Sequence, residues 1–203
     1  MPSSDGSYRN LIETKRSGHE LFSGHFLHAF RDVVVLPDAS VSTREYIVHP
    51  GAVMVVPILV GGDGDIEVVL ERQFRYPVGT VMLEFPAGKL DPGESPLHCA
   101  KRELQEETGF TALEWAYVGV VHPAIAYSTE TIHVWFARKL APGARHLDDG
   151  EFLDVITAKP DVLLQWCARG MVTDAKTLSG ILWLQNVLNG TWTLDWQTAE
   201  ELP

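Results

Sequence analysis

The sequence predicts an α+β domain built on a mixed β-sheet, with a small antiparallel β-meander ahead of it. Short β-type runs and helical segments follow one another without strict βαβ alternation, which disfavours a doubly wound parallel sheet. The chain has 203 residues, of which 45% are hydrophobic and 21% charged, ordinary globular usage that fits neither a disordered tail nor a coiled coil. At roughly 150 residues per domain, this length supports one domain with a modest extension and argues against two full enzymatic domains.

Residues 1–16 are polar and aperiodic and are expected to fray or to lean on a partner. Residues 21–22, 26–30, 32–36 and 46–48 are short β-type runs punctuated by Gly24 and Pro37-Asp38, the pattern of an antiparallel meander. Such a meander cannot hold a core alone, so it is expected to pack on its own domain or on a second subunit. The expected division is therefore an N-terminal extension over 1–50 and a main domain over 51–203. Residues 53–60 form a nearly continuous apolar run, Gly61-Gly62-Asp63-Gly64-Asp65 supplies a turn, and 66–70 resume β-branched character, which together read as a hairpin.

Residues 80–85 read as a further strand, broken by Pro86-Ala87-Gly88. Ser95-Pro96 opens a helix, with a capping hydroxyl followed by proline in the first turn, and Gly109 closes it. Residues 113–121, 131–137 and 152–156 read as strands, and 161–169 and 174–188 as helices stopped by Gly170 and Gly190.

The 16 basic and 27 acidic residues leave a net charge of −11, which argues against a sequence-independent hold on nucleic acid. A phosphate-rich ligand would need the help of a cation. The longest apolar stretch, 52–60, contains Pro57 and falls far short of the roughly 20 residues that cross a bilayer. No apolar secretory segment opens the chain, so no membrane partner and a cytoplasmic location are expected. Cys99 and Cys167 lack C-x-x-C spacing and read as two buried thiols rather than a disulfide.

The segment GKLDPGESPLHCAKRELQEETGF, residues 88–110, concentrates the chemistry. On a helix Glu103, Glu106 and Glu107 are three and four positions apart and share one stripe, while Leu97, Ala100 and Leu104 form a neighbouring stripe that would face the core. Carboxylates this close repel one another unless they share a proton or a cation, and an oxygen-only donor set points to Mg²⁺ or Mn²⁺ rather than zinc. A solvated acidic helix face would show the same triplet.

The full spacing from Gly88 through Glu94 to Arg102-Glu103-Leu104-Gln105-Glu106-Glu107-Thr108-Gly109-Phe110 resembles the Nudix hydrolase box at every defined position. The resemblance implies a Nudix α/β/α sandwich and metal-dependent hydrolysis of a nucleoside diphosphate linked to another moiety. Carried over position by position, Glu103 and Glu107 would be the main ligands of Mg²⁺, for which Mn²⁺ can substitute. Glu106 would be a further direct or water-mediated ligand, the Ala87 carbonyl an additional one, and Glu94 a second-rank metal-site residue. Arg102 would pair with a box carboxylate rather than with substrate.

Residues 44–53 (REYIVHPGAV), 71–77 (ERQFRYP), 84–90 (EFPAGKL) and Asp174-Ala175-Lys176-Thr177 resemble the ADP-ribose pyrophosphatases and related nucleotide-sugar hydrolases of that family, over roughly residues 20–190. By that resemblance Arg75 and Arg44 would grip phosphates or the terminal ribose, a task suited to the planar guanidinium fork, and Glu84 would join them in binding substrate. The stretch His122-Pro123-Ala124-Ile125-Ala126-Tyr127-Ser128-Thr129-Glu130 keeps the proline, serine and glutamate of the group's substrate loop but inserts residues and loses its glycine. Tyr127 would either stack on a base or join the core. The acidic loop 146–155 carries Glu151, which aligns with the family's general base.

The expected activity is hydrolysis of ADP-ribose or a similar nucleoside diphosphate sugar to a nucleoside monophosphate and a sugar phosphate, by a homodimer. The alternatives are a hydrolase of another linked nucleoside diphosphate, such as GDP-mannose or an ADP-linked dinucleotide, and a non-catalytic nucleotide-sensing module.

Overall fold

A strand flanked by helices on both sides must be apolar on both faces. Residues 52–58 meet that condition at every position, and they form the buried centre of the sheet. A computed structural model describes residues 6–62 and 64–198. Expectations that fall on residues 1–5, on Asp63 in the hairpin turn and on 199–203 lie outside the described residues. The chain divides into two compact units, Met1–His49 with Ala124–Glu130, and Pro50–Pro123 with Thr131–Pro203.

In the first unit a short 3-10 segment, Gly6–Leu11, precedes β1 (Thr14–Ser23), β2 (His28–Val35) and β3 (Val41–Val48), an antiparallel sheet in that order. The runs read separately at 26–30 and 32–36 meet in one strand, and the expected fraying of residues 14–16 is corrected: they lie in β1, Thr14 and Lys15 paired with β2 and Arg16 at a register shift. Exposed Arg31 splits the β2 pattern, and β1 was obscured for another reason. Every residue of β1 is exposed, so no apolar alternation marks it, and its position is set by ladder hydrogen bonds and the Lys15–Asp32 ion pair at 2.9 Å. Residues 124–130 are tied to the same unit by Ile47 N–H donating to the Tyr127 carbonyl at 2.8 Å.

The second unit contains β4 (Ala52–Val60), β5 (Ile66–Arg75), β6 (Thr80–Glu84), β7 (Ala87–Lys89), α1 (Pro96–Thr108), β8 (Phe110–Val121), β9 (Ile132–Pro142), β10 (Leu153–Ala158), α2 (Pro160–Ala168), α3 (Ala175–Leu188) and β11 (Gln197–Thr198). Among the described residues these strands form one eight-stranded sheet, ordered β10-β5-β4-β9-β8-β11 with β6 on β5 and β7 on β4. The sheet is mixed: β4 runs parallel to β9 and antiparallel to β5 and β7.

Alternation along β4 separates two cores. Val53 and Val55 pack with Leu97, Ala100 and Leu104 of α1 and with Trp115 and Trp135. Met54, Val56 and Ile58 pack with Phe85, Leu163, Ile181 and Leu184 beneath α2 and α3. This is an α/β/α sandwich of the α+β class. Burying these side chains contributes about 1.5–3 kcal/mol for each large apolar group, which fixes the helix carrying the acidic stripe.

Cys99 is buried as expected, but Cys167 is only partly so, at the end of α2, and both thiols are free. Among the described residues no helix is long and apolar enough to cross a membrane.

Candidate active site

Helix α1 begins and ends where local chemistry dictates. The Ser95 hydroxyl accepts from His98 N–H, Pro96 occupies the first turn, and Gly109 at φ 76° ends the helix with its N–H on the Gln105 carbonyl. Its apolar stripe is held against the sheet, so Glu103 and Glu107 turn inward and are only 9% and 2% exposed. A solvated acidic face would leave them in water. Glu106 lies at the rim, half-buried.

Gly88, on β7, lets this helix come close. A Cβ there would stand 1.8 Å from Glu103 Oε1, so any larger residue must displace the Glu103 carboxylate. Next to it, Ala87 N–H donates to Glu107 Oε2 at 2.9 Å. That bond holds the Glu107 carboxylate against the strand whose Ala87 carbonyl the sequence singled out.

Arg102 organises the outer part of the site. Its Nε and Nη2 grip the two oxygens of Glu94 at 3.0 and 2.9 Å, and its Nη1 reaches Glu103 at 2.7 Å and Glu106 at 3.0 Å. Glu94 also accepts from Asp91 N–H at 3.1 Å, and the guanidinium pulls its carboxyl down to about 2. Glu94 is thus committed to Arg102, and Arg102 pairs with box carboxylates rather than standing free.

Deeper in, the carboxyls shift the other way. Burial, opposed by Arg102, raises Glu103 to about 7. Burial together with Glu71, Glu103 and Glu151 raises Glu107 well above its ordinary value. Glu71 of β5 rises to about 8 through burial and the neighbouring Glu84 charge.

Sequence reasoning assigned Glu71 no role. The signal was its parity: Val68 and Leu70 belong to the core beneath α2 and α3, so Glu71, Gln73 and Arg75 share the opposite, α1-facing side of β5. Gln73 Nε2 donates to Glu151 Oε1 at 2.9 Å, which ties the acidic loop to the sheet. Arg75 forms a two-pronged pair with Glu84 at 2.7 and 3.0 Å. Lys176 bonds the same Glu84 and reaches Asp174 at 3.0 Å. Burial alone would raise Glu84, and the bonds from Arg75 and Lys176 outweigh it and hold the carboxyl low. Asp174 caps α3 by accepting from Thr177 N–H at 2.9 Å, and the buried Thr177 hydroxyl accepts from Phe85 N–H at 3.1 Å.

The sequence-derived residues Ala87, Glu94, Glu103, Glu106, Glu107 and Glu151, with Arg75 and Glu84, all lie in the second unit. Arg44 and Tyr127 belong to the first. Arg44 pairs there with Glu13, its Nε at 2.9 Å from Oε2, and not with Glu45, which binds Arg31. Tyr127 is 59% exposed, so it is not a core aromatic.

As the side chains stand, no three of His, Cys, Asp or Glu among the described residues converge on one metal-holding point. Arg102 occupies the space between Glu103 and Glu106, and Glu107 is turned to Ala87. The donor chemistry nonetheless fits a hard divalent cation: the carboxylates are buried and clustered, and both Glu71 oxygens are buried without a hydrogen-bond donor.

Such a buried carboxylate helix, facing a glycine on the adjoining strand of an α/β/α sandwich, places the molecule among the pyrophosphohydrolases, enzymes that use a divalent metal ion. The chain belongs to the Nudix family: the NUDIX domain matches residues 48–178. An ADP-ribose pyrophosphatase of Bacillus subtilis is 34% identical over 179 residues, covering 87% of this chain and 95% of that protein. A methanol dehydrogenase activator of Bacillus methanolicus is 36% identical over 170 residues, covering 82% and 89%. A crystal structure described as an ADP compounds hydrolase superposes with a TM-score of 0.78 at 23% identity, covering 89% of this chain and 97% of that one, a likeness of fold.

Proposed function

We propose that the chain hydrolyses the pyrophosphate bond of ADP-ribose or a similar nucleoside diphosphate sugar, with Mg²⁺ as its metal ion, giving a nucleoside monophosphate and a sugar phosphate. The observation that carries this reading is the inward burial of Glu103 and Glu107 beside Gly88, where Arg102 reaches Glu103 but Glu107 has only the Ala87 N–H, a set of buried oxygen donors suited to a shared cation. The B. subtilis relative, named for ADP-ribose and similar over nearly its full length, supports the substrate class.

When bound, the ion would neutralise pyrophosphate charge and make water a better nucleophile. Glu103 and Glu107 would hold it, with Glu106 and the Ala87 carbonyl as further oxygen donors and Arg102 keeping Glu94 paired. Glu151, oriented by Gln73, takes the proton from the attacking water. Arg75 meets substrate phosphate by exchanging Glu84 for it, and Lys176 keeps Glu84 paired while it does so. Arg44 and Tyr127, both of the first unit, are the further side chains assigned to substrate binding by sequence resemblance. That unit, too thin to bury a core, packs across a homodimer, and the enzyme works in the cytoplasm.

Turnover of ADP-ribose, GDP-mannose, ADP-glucose, UDP-glucose, NADH and a diadenosine polyphosphate, each with Mg²⁺ and with EDTA, tests the reading. Mg²⁺-dependent preference for ADP-ribose is expected. Preference for GDP-mannose or a dinucleotide would move the substrate class, and no turnover of any of them would favour a sensing module.

A further inference from the structure

Glu71 is the anomaly of the site. It is fully buried, both of its carboxylate oxygens lack a hydrogen-bond donor, and it lies outside the helical segment that defines the family. A buried carboxylate with no donor is costly, and a strand seldom carries one without a use for it.

Its surroundings say what it lacks. In the β5–β6 ladder Glu71 stands directly opposite Glu84, and across the site it faces the Glu107 carboxylate. The cations of the neighbourhood are engaged elsewhere: Arg75 and Lys176 with Glu84, and Arg102 with Glu94, Glu103 and Glu106. Glu107 has the Ala87 N–H on one oxygen. Two carboxylates from different elements, β5 and α1, therefore meet in the interior with one backbone donor between them.

We propose that Glu71 is a further metal-ion ligand of this enzyme, a strand-borne carboxylate that joins Glu107 and Glu103 in holding a divalent cation. The inference rests on the reading of the site as a divalent-metal centre, and it goes beyond that reading by adding a ligand from outside the box. Its chemistry matches the proposed occupant: a hard cation takes oxygen donors, and the Glu71 oxygens accept from no N–H donor, their polar neighbour being the Glu107 carboxyl itself. Glu84, by contrast, is held by its two cations and stays a positioning residue for Arg75.

The test is direct Mn²⁺ binding to the nucleotide-free protein, followed by the electron paramagnetic resonance of free Mn²⁺, for wild type, Glu71→Gln and Glu107→Gln. Thermal melts in EDTA establish that each variant is folded, and Glu71→Asp, which keeps the charge on a shorter arm, serves if the glutamine variant is not. Glu71→Gln is expected to weaken Mn²⁺ binding at least tenfold or to remove one equivalent, while its melt in EDTA stays at or above that of wild type. Wild-type Mn²⁺ affinity and stoichiometry in a folded Glu71→Gln protein, together with weakened binding in Glu107→Gln, would overturn the proposal and leave the metal-centre reading standing. Unchanged binding in both variants, or none in wild type, would overturn both.

Discussion

At the scale of single residues, the site is a set of carboxylates sorted by the cations that reach them. Glu107 has no guanidinium partner and lies in the interior, so replacing it with glutamine keeps its shape and its bond from Ala87 N–H. Glu107→Gln should lower kcat/KM at least about a hundredfold, since loss of even an outlying partner of a metal ligand costs 10–100-fold. Circular dichroism and the melting temperature should stay near wild type; unfolding would reassign the residue to a structural role. Gly88→Ala should be as damaging by another route. Its Cβ collides with Glu103, and displacing that side chain should cost about 1–3 kcal/mol of stability along with activity, measured by urea unfolding and turnover.

The same residues set a pH dependence. In the metal-free protein Glu71 and Glu103 have folded-state values raised to about 8 and about 7, above the unfolded 4.5, so folding takes up protons between those limits. Their contribution is present at low pH and is lost as pH rises through 7 to 8. The melting temperature in EDTA should therefore fall by several degrees from pH 6 to pH 9, and a saturating divalent ion should flatten that slope. Glu94 works in the opposite sense. Its folded value of about 2 lies below the unfolded one, so its stabilisation holds above pH 4.5 and is lost as pH falls towards 2.

At the scale of elements, what the sequence made legible was whatever local chemistry decides. Ser95-Pro96 and Gly109 bracket α1 because caps act within a turn, and Leu97, Ala100 and Leu104 mark its inner face because a helix repeats every 3.6 residues. The apolar run over 53–60 announced β4 as a hairpin strand, and packing shows both of its faces buried. Glu71 was not legible, because its meaning lies in Glu84 of the next strand and Glu107 of the helix, contacts that register and packing create. Only residues 21–22 of β1 were legible, because the strand has no buried face, and the bond between Gln73 and Glu151 spans the sequence too widely for motif reading. Asp174 belongs with the legible elements: Asp174→Ala removes the α3 cap and one partner of Lys176, and should cost about 1 kcal/mol by urea denaturation.

At the scale of the whole molecule, the two units differ in how they bury themselves. The second has a double core around β4, whereas the first exposes all of β1 together with Leu21, Phe22, Phe26 and Leu27. Exposed apolar side chains of that density call for a covering surface. Light scattering behind gel filtration should give twice the chain mass at micromolar concentration, and a variant lacking residues 1–49 should lose the dimer; a monomeric wild type would sink this assignment.

The Arg102 cluster also bears on how the protein is made. One guanidinium bonds Glu94, Glu103 and Glu106 together, so part of the negative charge of the metal-free site is offset by the polypeptide itself. Small metal-nucleated domains stay unfolded until they are loaded, because nothing else offsets their ligands. Here maturation and loading should be separable: a chain refolded in EDTA is expected to regain the native circular dichroism with its arginine as partial counter-ion, and to take up the ion afterwards.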